Sequence, residues 1–539
     1  MCLFSILLFK KIWSDSAFAK LPTYGIHGKD EKRPSILISH TDMNFQKSSS
    51  GTEEIDIYQK MNVTNDNIFL SVRLSEILVL PTTFPLRIGD TLRIRIRLFG
   101  TDGKPVSTGG DFLRVWLKET KIKANVNGYV LDHRNGSYTG VLLLPWKGRP
   151  EVIVSVANSR HHISLIMKYV NEHGLLQMMA SQFIDPSGRY KEETQCSPKH
   201  DAILKGCTLA DRCNLTKQNY GLPWFCCKPK STFVTCKDMK TVKANKTSMI
   251  SDLTRHISTY KKHQRFSSFK IQVKERIGYP EYLPSPPRPC QERMPKATWN
   301  DITPVGYYFK NTWINRKCTL GTSRPDTCLD NKRFVVLGDS NSRSVYSIFC
   351  SKTKSKTLTD HYTKEKPWHK LLMARNIKRN IDLMWAPHNP PFYVGPHQPL
   401  DTMRSVGNWL DRTPHDKPII VIIHLYYHLT RTTLSVFRAL VKDARAGVDR
   451  LLRRAPDSTV IIQGPHSITY KDSLEPLDYI RRRHEDIWFQ EFMGIHNKVF
   501  YIDNWDRTVG NENVDAHPPT NTMTDVTDEM LSYICRDVV

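Results

Sequence analysis

The stretch Arg333–Cys350, RFVVLGDSNSRSVYSIFC, constrains the fold more than any other part of the chain. Phe334 to Leu337 are four consecutive apolar residues that run straight into Gly338-Asp339-Ser340. Beyond the tripeptide, Val345, Ile348 and Phe349 recur at helical spacing and make one face apolar. The pattern predicts a buried strand, a tight turn and a helix. Open α/β sheets keep their ligand crevices at the carboxyl ends of strands. A serine hydroxyl lifted out there has backbone N–H groups of the helix start beside it, and these can stabilise an oxyanion. Gly, Asp and Ser are also ordinary turn and N-cap residues, so the tripeptide alone does not specify chemistry.

The carboxy-terminal half supplies context. From about Gly306 onward, strand and helix patterns alternate. Pro418–Leu425 is a continuous apolar run suited to a strand buried on both faces, and a long helical stretch covers Leu434 to Arg454. Thr459–Gln463 and Val499–Asp503 read as further strands, with a helix near Tyr479–Met493 between them. A last helix carries Met523, Val526, Met530, Leu531 and Ile534 on its apolar side. This alternation predicts a parallel sheet covered on both faces. A serine nucleophile needs a base, itself oriented by a third group. Asp515-Ala516-His517 stands between the last strand and the last helix, so Ser340, His517 and Asp515 form a candidate catalytic set. Asp515 precedes His517 by only two residues; Asp503 or a backbone carbonyl is the alternative orienting group.

The amino-terminal half reads differently. Thr91–Phe99 alternates strictly, with Leu92, Ile94, Ile96 and Leu98 on one face. Asp102-Gly103 and Asn135-Gly136 supply hairpin turns, and Tyr138–Leu144 and Glu151–Val156 continue a series of short strands. Short strands from about Phe69 to Tyr169 predict a sandwich of immunoglobulin type without a catalytic constellation. Cysteines then crowd together in a polar segment, followed by the proline-rich YPEYLPSPPRP. The expected organisation is 1–19 a weak or truncated signal segment, 20–65 linker, 66–185 immunoglobulin-like domain and 186–250 disulfide-rich segment. Residues 251–300 follow as connector and 301–539 as the α/β domain.

Cys196, Cys207, Cys213, Cys226, Cys227, Cys236, Cys290, Cys318, Cys328 and Cys535 lack the paired spacing of zinc ligands and predict disulfides, hence an oxidising compartment. Cys350, on the helix after Ser340, is the candidate free thiol. Sequons at Asn62, Asn135, Asn214 and Asn245 agree with a secretory chain. Lys+Arg 78 against Asp+Glu 53 gives a net charge of +25. The basic residues are spread through every segment and form no arm or stripe. That argues against nucleic acid and for an acidic glycan or anionic surface.

Several blocks together resemble the neurexophilin and PC-esterase domain (NXPE) family. They are GGDFLRVWL, GYVLDHRNGSYTG, CNLTKQNYGLPWFCCKPK, GYYFKNTW, VVLGDSNSR, IDNW, HPP and LSYIC. The resemblance implies a neurexophilin-type immunoglobulin-like domain followed by an SGNH/GDSL-type esterase domain. It implies Ser340 as nucleophile, His517 as base, and Gly338, Asp339, Arg343 and His428 as oxyanion or substrate residues.

The expected activity is O-acetyl transfer to sialic acid or another glycan hydroxyl in the secretory pathway, in the Golgi lumen or outside the cell. No bound cofactor or metal is expected, and acetyl-CoA is the expected acyl donor. The alternatives are a glycan O-acetyl esterase and a secreted binding glycoprotein whose neurexophilin-like half engages a cell-surface receptor.

Overall fold

A computed structural model describes residues 70–244, 264–321, 325–359, 370–392, 395–468 and 475–535. The apolar start, the 20–65 segment and the sequons at Asn62 and Asn245 lie outside these residues. Among them the chain is rich in β-structure and forms four sheets, three of them antiparallel throughout.

Two of these sheets face each other. One has the order β1-β2-β6-β5: β1 Glu76–Val79, β2 Thr91–Arg97, β6 Ser137–Leu143 and β5 Tyr129–Asp132. The other runs β13-β7-β3-β4-β15-β16: β13 Gln264–Arg265, β7 Glu151–Asn158, β3 Phe112–Glu119, β4 Ala124–Asn127, β15 Gly306–Phe309 and β16 Thr312–Asn315. β14, Phe269–Lys270, also pairs with β7. Alternation in β2 sends Leu92, Ile94 and Ile96 inward, where they meet Val115, Leu117, Val152 and Val154 of the facing sheet. Two members of that sheet, β15 and β16, come from residues 306–315, so the sandwich draws on chain from both sides of the proline-rich connector. Arg160–His173, within the stretch read as short strands, is a helix, α1. Ile163, Met167 and Val170 give it a helical apolar stripe, the Ser159 side chain caps its start and left-handed Gly174 ends it.

The cysteine-rich segment forms a six-stranded sheet, β10-β11-β9-β8-β12-β21. Its strands are β8 Met179–Ile184, β9 Lys191–Ser197, β10 Arg212–Asn214, β11 Phe225–Cys227, β12 Met239–Ala244 and β21 Gly395–Pro399. Three disulfides staple it: Cys196–Cys226, Cys207–Cys227 and Cys213–Cys236. Cys290–Cys318 and Cys328–Cys535 complete the ten predicted disulfide cysteines, and Cys350 stays free among the described residues.

The fourth sheet has the order β18-β19-β20-β17-β22-β23-β24. It comprises β18 Lys356–Thr357, β19 Leu372–Asn376, β20 Ile381–Pro387, β17 Arg333–Gly338, β22 Ile419–His424, β23 Thr459–Gln463 and β24 Val499–Ile502. β20, β17, β22, β23 and β24 are mutually parallel, while β19 runs against them and β18, antiparallel to β19, returns to their direction. Alternate side chains of the central strands enter two cores. Val335, Leu337, Val421 and Ile423 pack with α4 Val406–Asp411, α5 Leu434–Arg454 and α6 Leu477–Glu491. Phe334, Val336, Ile420 and Ile422 pack with α3 Ser340–Lys352 and α8 Thr520–Ile534. The short helices α2, Pro295–Trp299, and α7, Trp505–Gly510, sit against β24 and the sandwich respectively.

The sandwich and the parallel-sheet body share a buried polar seam. Arg114 of β3 donates twice to Asp478 of α6, at 2.7 and 2.5 Å, and Asn127 of β4 donates to Asp506 of α7 at 2.7 Å. Trp116, Ile153, Trp505 and Val509 form an apolar cluster beside them.

Candidate active site

β17 ends at Gly338, whose φ of +140° suits glycine, and a Cβ there would meet the His424 carbonyl oxygen at 1.9 Å. Only a bare backbone can pass so close to the end of β22. The next residue, Asp339, caps α3: its Oδ1 accepts from the Asn341 N–H at 2.8 Å. Its Oδ2 accepts from the Tyr427 N–H at 3.0 Å, tying the turn to the loop after β22. Burial acts to raise the Asp339 pKa, but His424 and His428 outweigh it, and the carboxyl is lowered to about 2. Asp339 therefore organises the turn as a buried carboxylate.

Ser340 is the first residue of α3, where helix N–H groups have no partner within the helix. Its Oγ lies 2.7 Å from His517 Nε2, although the two are 177 residues apart. For the hydroxyl to donate to Nε2, the ring carries its proton on Nδ1. Asp515 does not bond that nitrogen. Its Oδ1 accepts from the His517 backbone N–H at 3.0 Å and stands 3.8 Å from Nδ1, beyond hydrogen-bond range. Both side chains are open to solvent, 54% for His517 and 69% for Asp515, which weakens any electrostatic effect between them. Asp503, the alternative orienting group, accepts from the Trp505 N–H and faces Arg481. The structure therefore assembles a Ser340–His517 pair rather than a bonded triad.

The loop bearing His517 is held from the carboxyl edge of the sheet. His466, after β23, has Nε2 at 3.0 Å from the Ala516 carbonyl, which only accepts, so Nε2 carries the ring proton. Asn513 Nδ2 donates to the carbonyls of Ser467 and Asp515. Burial, followed by His424, lowers the His466 pKa to about 3, and the ring is neutral.

A similar deduction fixes His428. His388 Nδ1 lies 2.7 Å from the Asn389 carbonyl and must donate to it, and burial lowers the His388 pKa. The neutral ring then has a bare Nε2, which accepts from His428 Nδ1 at 3.0 Å. Burial and then His388 lower the His428 pKa to about 3. Its single proton is committed to His388, so His428 has none to offer the oxyanion-donor role set out for it. Arg343 lies on α3 with its guanidinium 5.5 Å from the centre of the Trp385 ring, and Trp385 Nε1 donates to Ser342 Oγ at 2.9 Å.

Sequence reasoning passed over His388, Asn389, His424 and His466. Each stands at or just beyond the carboxyl end of a parallel strand, which is the signal that could have found them. Among the described residues no group of three His, Cys, Asp or Glu side chains is arranged to hold a metal ion. Asn135 is exposed in the β5–β6 turn and Asn214 is exposed at the end of β10. The Cys350 thiol is pushed up to about 11, chiefly by burial, and is a poor nucleophile there.

A family model described as NXPE family member 4-like, C-terminal domain, matches residues 313–535. The matched span begins in β16 and ends at Cys535, enclosing the Ser340 turn and the His517 loop.

Proposed function

We propose, from the premise that this chain belongs to the NXPE family, that it is a glycan-modifying acyl enzyme of SGNH/GDSL type with Ser340 as nucleophile. The five disulfides and the family are consistent with a secreted or lumenal protein, and no helix among the described residues is long and apolar enough to cross a membrane. The two facing antiparallel sheets support an immunoglobulin-like, neurexophilin-type reading of the sandwich. The parallel strands with the serine turn at their carboxyl edge support the esterase-type reading of the rest.

The observation that carries the proposal is the 2.7 Å contact between Ser340 Oγ and His517 Nε2. Ser340 attacks the acetyl carbonyl of a donor such as acetyl-CoA while His517 Nε2 takes the hydroxyl proton. The oxyanion is met at the start of α3 by the Ser340 backbone N–H, since the Asn341 N–H is held by Asp339. Collapse expels the donor thiolate, which takes the proton from His517. A hydroxyl of sialic acid or another sugar then gives its proton to His517 and attacks the acetyl-serine, and His517 passes that proton to Oγ as the Oγ–acyl bond breaks, restoring Ser340. Arg343 supplies positive charge toward an acidic substrate.

The exposure of His517 favours a second reading, O-acetyl ester hydrolysis, in which water replaces the sugar hydroxyl. Incubation of wild type and Ser340→Ala with labelled acetyl donor and sialylated glycan tests the proposal. Transfer by wild type alone is expected, release of acetate alone marks the esterase, and equal O-acetylation by both proteins overturns the serine mechanism.

A further inference from the structure

The outer face of the β1-β2-β6-β5 sheet, on the side of the sandwich away from the parallel-sheet body, carries charge that its own fold does not neutralise. β2 reads TLRIRIR, and the alternation that buries Leu92, Ile94 and Ile96 turns Arg93, Arg95 and Arg97 outward. Residues two apart on a strand stand about 6.8 Å apart on one face. Pairing places Arg97 between Glu76 and Ser137, and Arg95 between Leu78 and Thr139. Among the described residues neither Arg95 nor Arg97 has an ion-pair partner, even though Glu76 is opposite Arg97 in the ladder. Arg97 instead lies 5.5 Å from the centre of the Phe99 ring.

These side chains line a cavity of about 560 Å³, together with His133, Ser137 and the exposed Leu78. His133 is held by Thr139, with Nε2 and Oγ1 at 2.8 Å. The mixture is informative. Two guanidinium groups carried on alternate residues of one strand suit two anionic groups, because Arg presents a rigid fork of donors to carboxylate or sulfate. Glu76 and Ser137 offer acceptors to hydroxyl groups, and Leu78 offers an apolar contact to a sugar ring. The concave shape and the acceptors separate this surface from a flat basic patch suited to an anionic membrane.

We infer that this groove binds an acidic oligosaccharide of another molecule, one bearing carboxylates or sulfates on neighbouring sugars. The inference stands apart from the Ser340 reading and holds for an enzyme or a binding protein alike. One feature of the rim requires control. Asn135-Gly136-Ser137 is a sequon, and Asn135 lines the groove. A glycan attached there is a second source of the same chemistry.

The test uses the full chain made in a secretory host. Binding to immobilised disialylated, sulfated and neutral oligosaccharides is measured for wild type, Arg95→Ser/Arg97→Ser and Asn135→Gln. All three should show the same labelling of Ser340 by a fluorophosphonate, since neither arginine touches that site. Wild type is expected to prefer an acidic over the neutral glycan. The arginine variant is expected to lose about tenfold or more in affinity and most of its salt dependence. Asn135→Gln is expected to bind like wild type. The inference fails if the arginine variant binds as wild type does or if wild type shows no preference for acidic glycans. It fails equally if Asn135→Gln abolishes binding, or if the arginine-dependent binding is to phosphatidylserine vesicles and not to glycans.

Discussion

The Glu512 carboxylate joins the Lys118 ammonium at 2.6 Å, and so links strand β3 of the sandwich to the loop that carries His517 five residues later. Trp116 Nε1 and Arg265 reach the same carboxylate at 3.2 and 3.1 Å, and Asn125 donates to Asn511 at 2.9 Å. Glu512 itself takes a positive φ of 53°, a conformation a non-glycine residue holds only when its surroundings fix it. The sandwich thus acts as a wall against which the loop of the base is set.

Glu512→Gln removes the charge and keeps the shape. It is expected to slow fluorophosphonate labelling of Ser340 by about tenfold, since small misplacements of a catalytic group are costly. Thermal stability should fall by only about 1–2 kcal/mol, the scale of partly exposed polar contacts. Unchanged labelling would show that the wall does not position His517.

Asp515 and His517 invite a graded comparison. With its carboxylate on the backbone N–H and 3.8 Å from Nδ1, Asp515 orients the loop more than the ring. Asp515→Asn is therefore expected to reduce labelling or acyl turnover less than about tenfold, whereas a bonded triad acid removed in this way costs about 10⁴. Ser340→Ala and His517→Ala should abolish the reaction. A loss in Asp515→Asn as deep as that in His517→Ala would mean that the carboxylate swings onto Nδ1 when substrate binds.

Much of this site can be read directly from residue patterns. RFVVLGDS forms a strand and a turn because four apolar residues meet a glycine, a cap and a helix start, all local signals. Long elements with strong periodicity behave likewise: α5 occupies Leu434–Arg454 and β23 occupies Thr459–Gln463, with the bounds read from the sequence. What stayed hidden depends on tertiary placement. In the cysteine-rich sheet β10 and β11 are only three residues long and are stapled by disulfides, and β12 gains a ladder partner from β21, some 150 residues further on. His388, His424 and His466 are single residues at or beyond the ends of β20, β22 and β23, brought together only by the parallel order of the strands. Helix α1 does carry a helical stripe, but it stands among strands, whose two-residue period masked it.

The buried imidazoles give the protein a defined response to acid. His428, His466 and His484 each have a pKa lowered to about 3, with burial the first cause, against about 6.5 unfolded. Because the unfolded chain takes up these protons first, their contribution is complete above about pH 6.5 and is lost as pH falls toward 3. Asp339, lowered to about 2, adds a loss in the same direction below about pH 4. Three such histidines correspond to a slope of about 4 kcal/mol per pH unit in that window. His484, stacked on Phe437 at 3.5 Å between ring centres, is the cleanest probe, because burial is the sole cause of its shift. Unfolding midpoints measured from pH 7 to 4 should fall steeply for wild type, and His484→Gln should flatten the slope by about one proton. A midpoint that does not move between pH 6.5 and 5 would contradict the neutral, buried assignment.

The Arg114–Asp478 pair tests how far the sandwich and the parallel-sheet body fold as one. Arg114 is buried on β3 and Asp478 is buried on α6, bonded through both carboxylate oxygens. The Asp478 and Tyr479 N–H groups also donate to Asn158 Oδ1 of β7, at 3.0 and 3.4 Å. Removing either charge breaks a buried, doubly hydrogen-bonded pair, so Arg114→Met or Asp478→Leu alone should cost about 3–5 kcal/mol. The double variant replaces the pair by apolar groups and should recover most of that loss. If the halves fold cooperatively, thermal unfolding of each single variant stays a single transition shifted downward. Two transitions, one unmoved, would show that the sandwich folds independently of the body, and that Lys118 could then set the His517 loop only after docking.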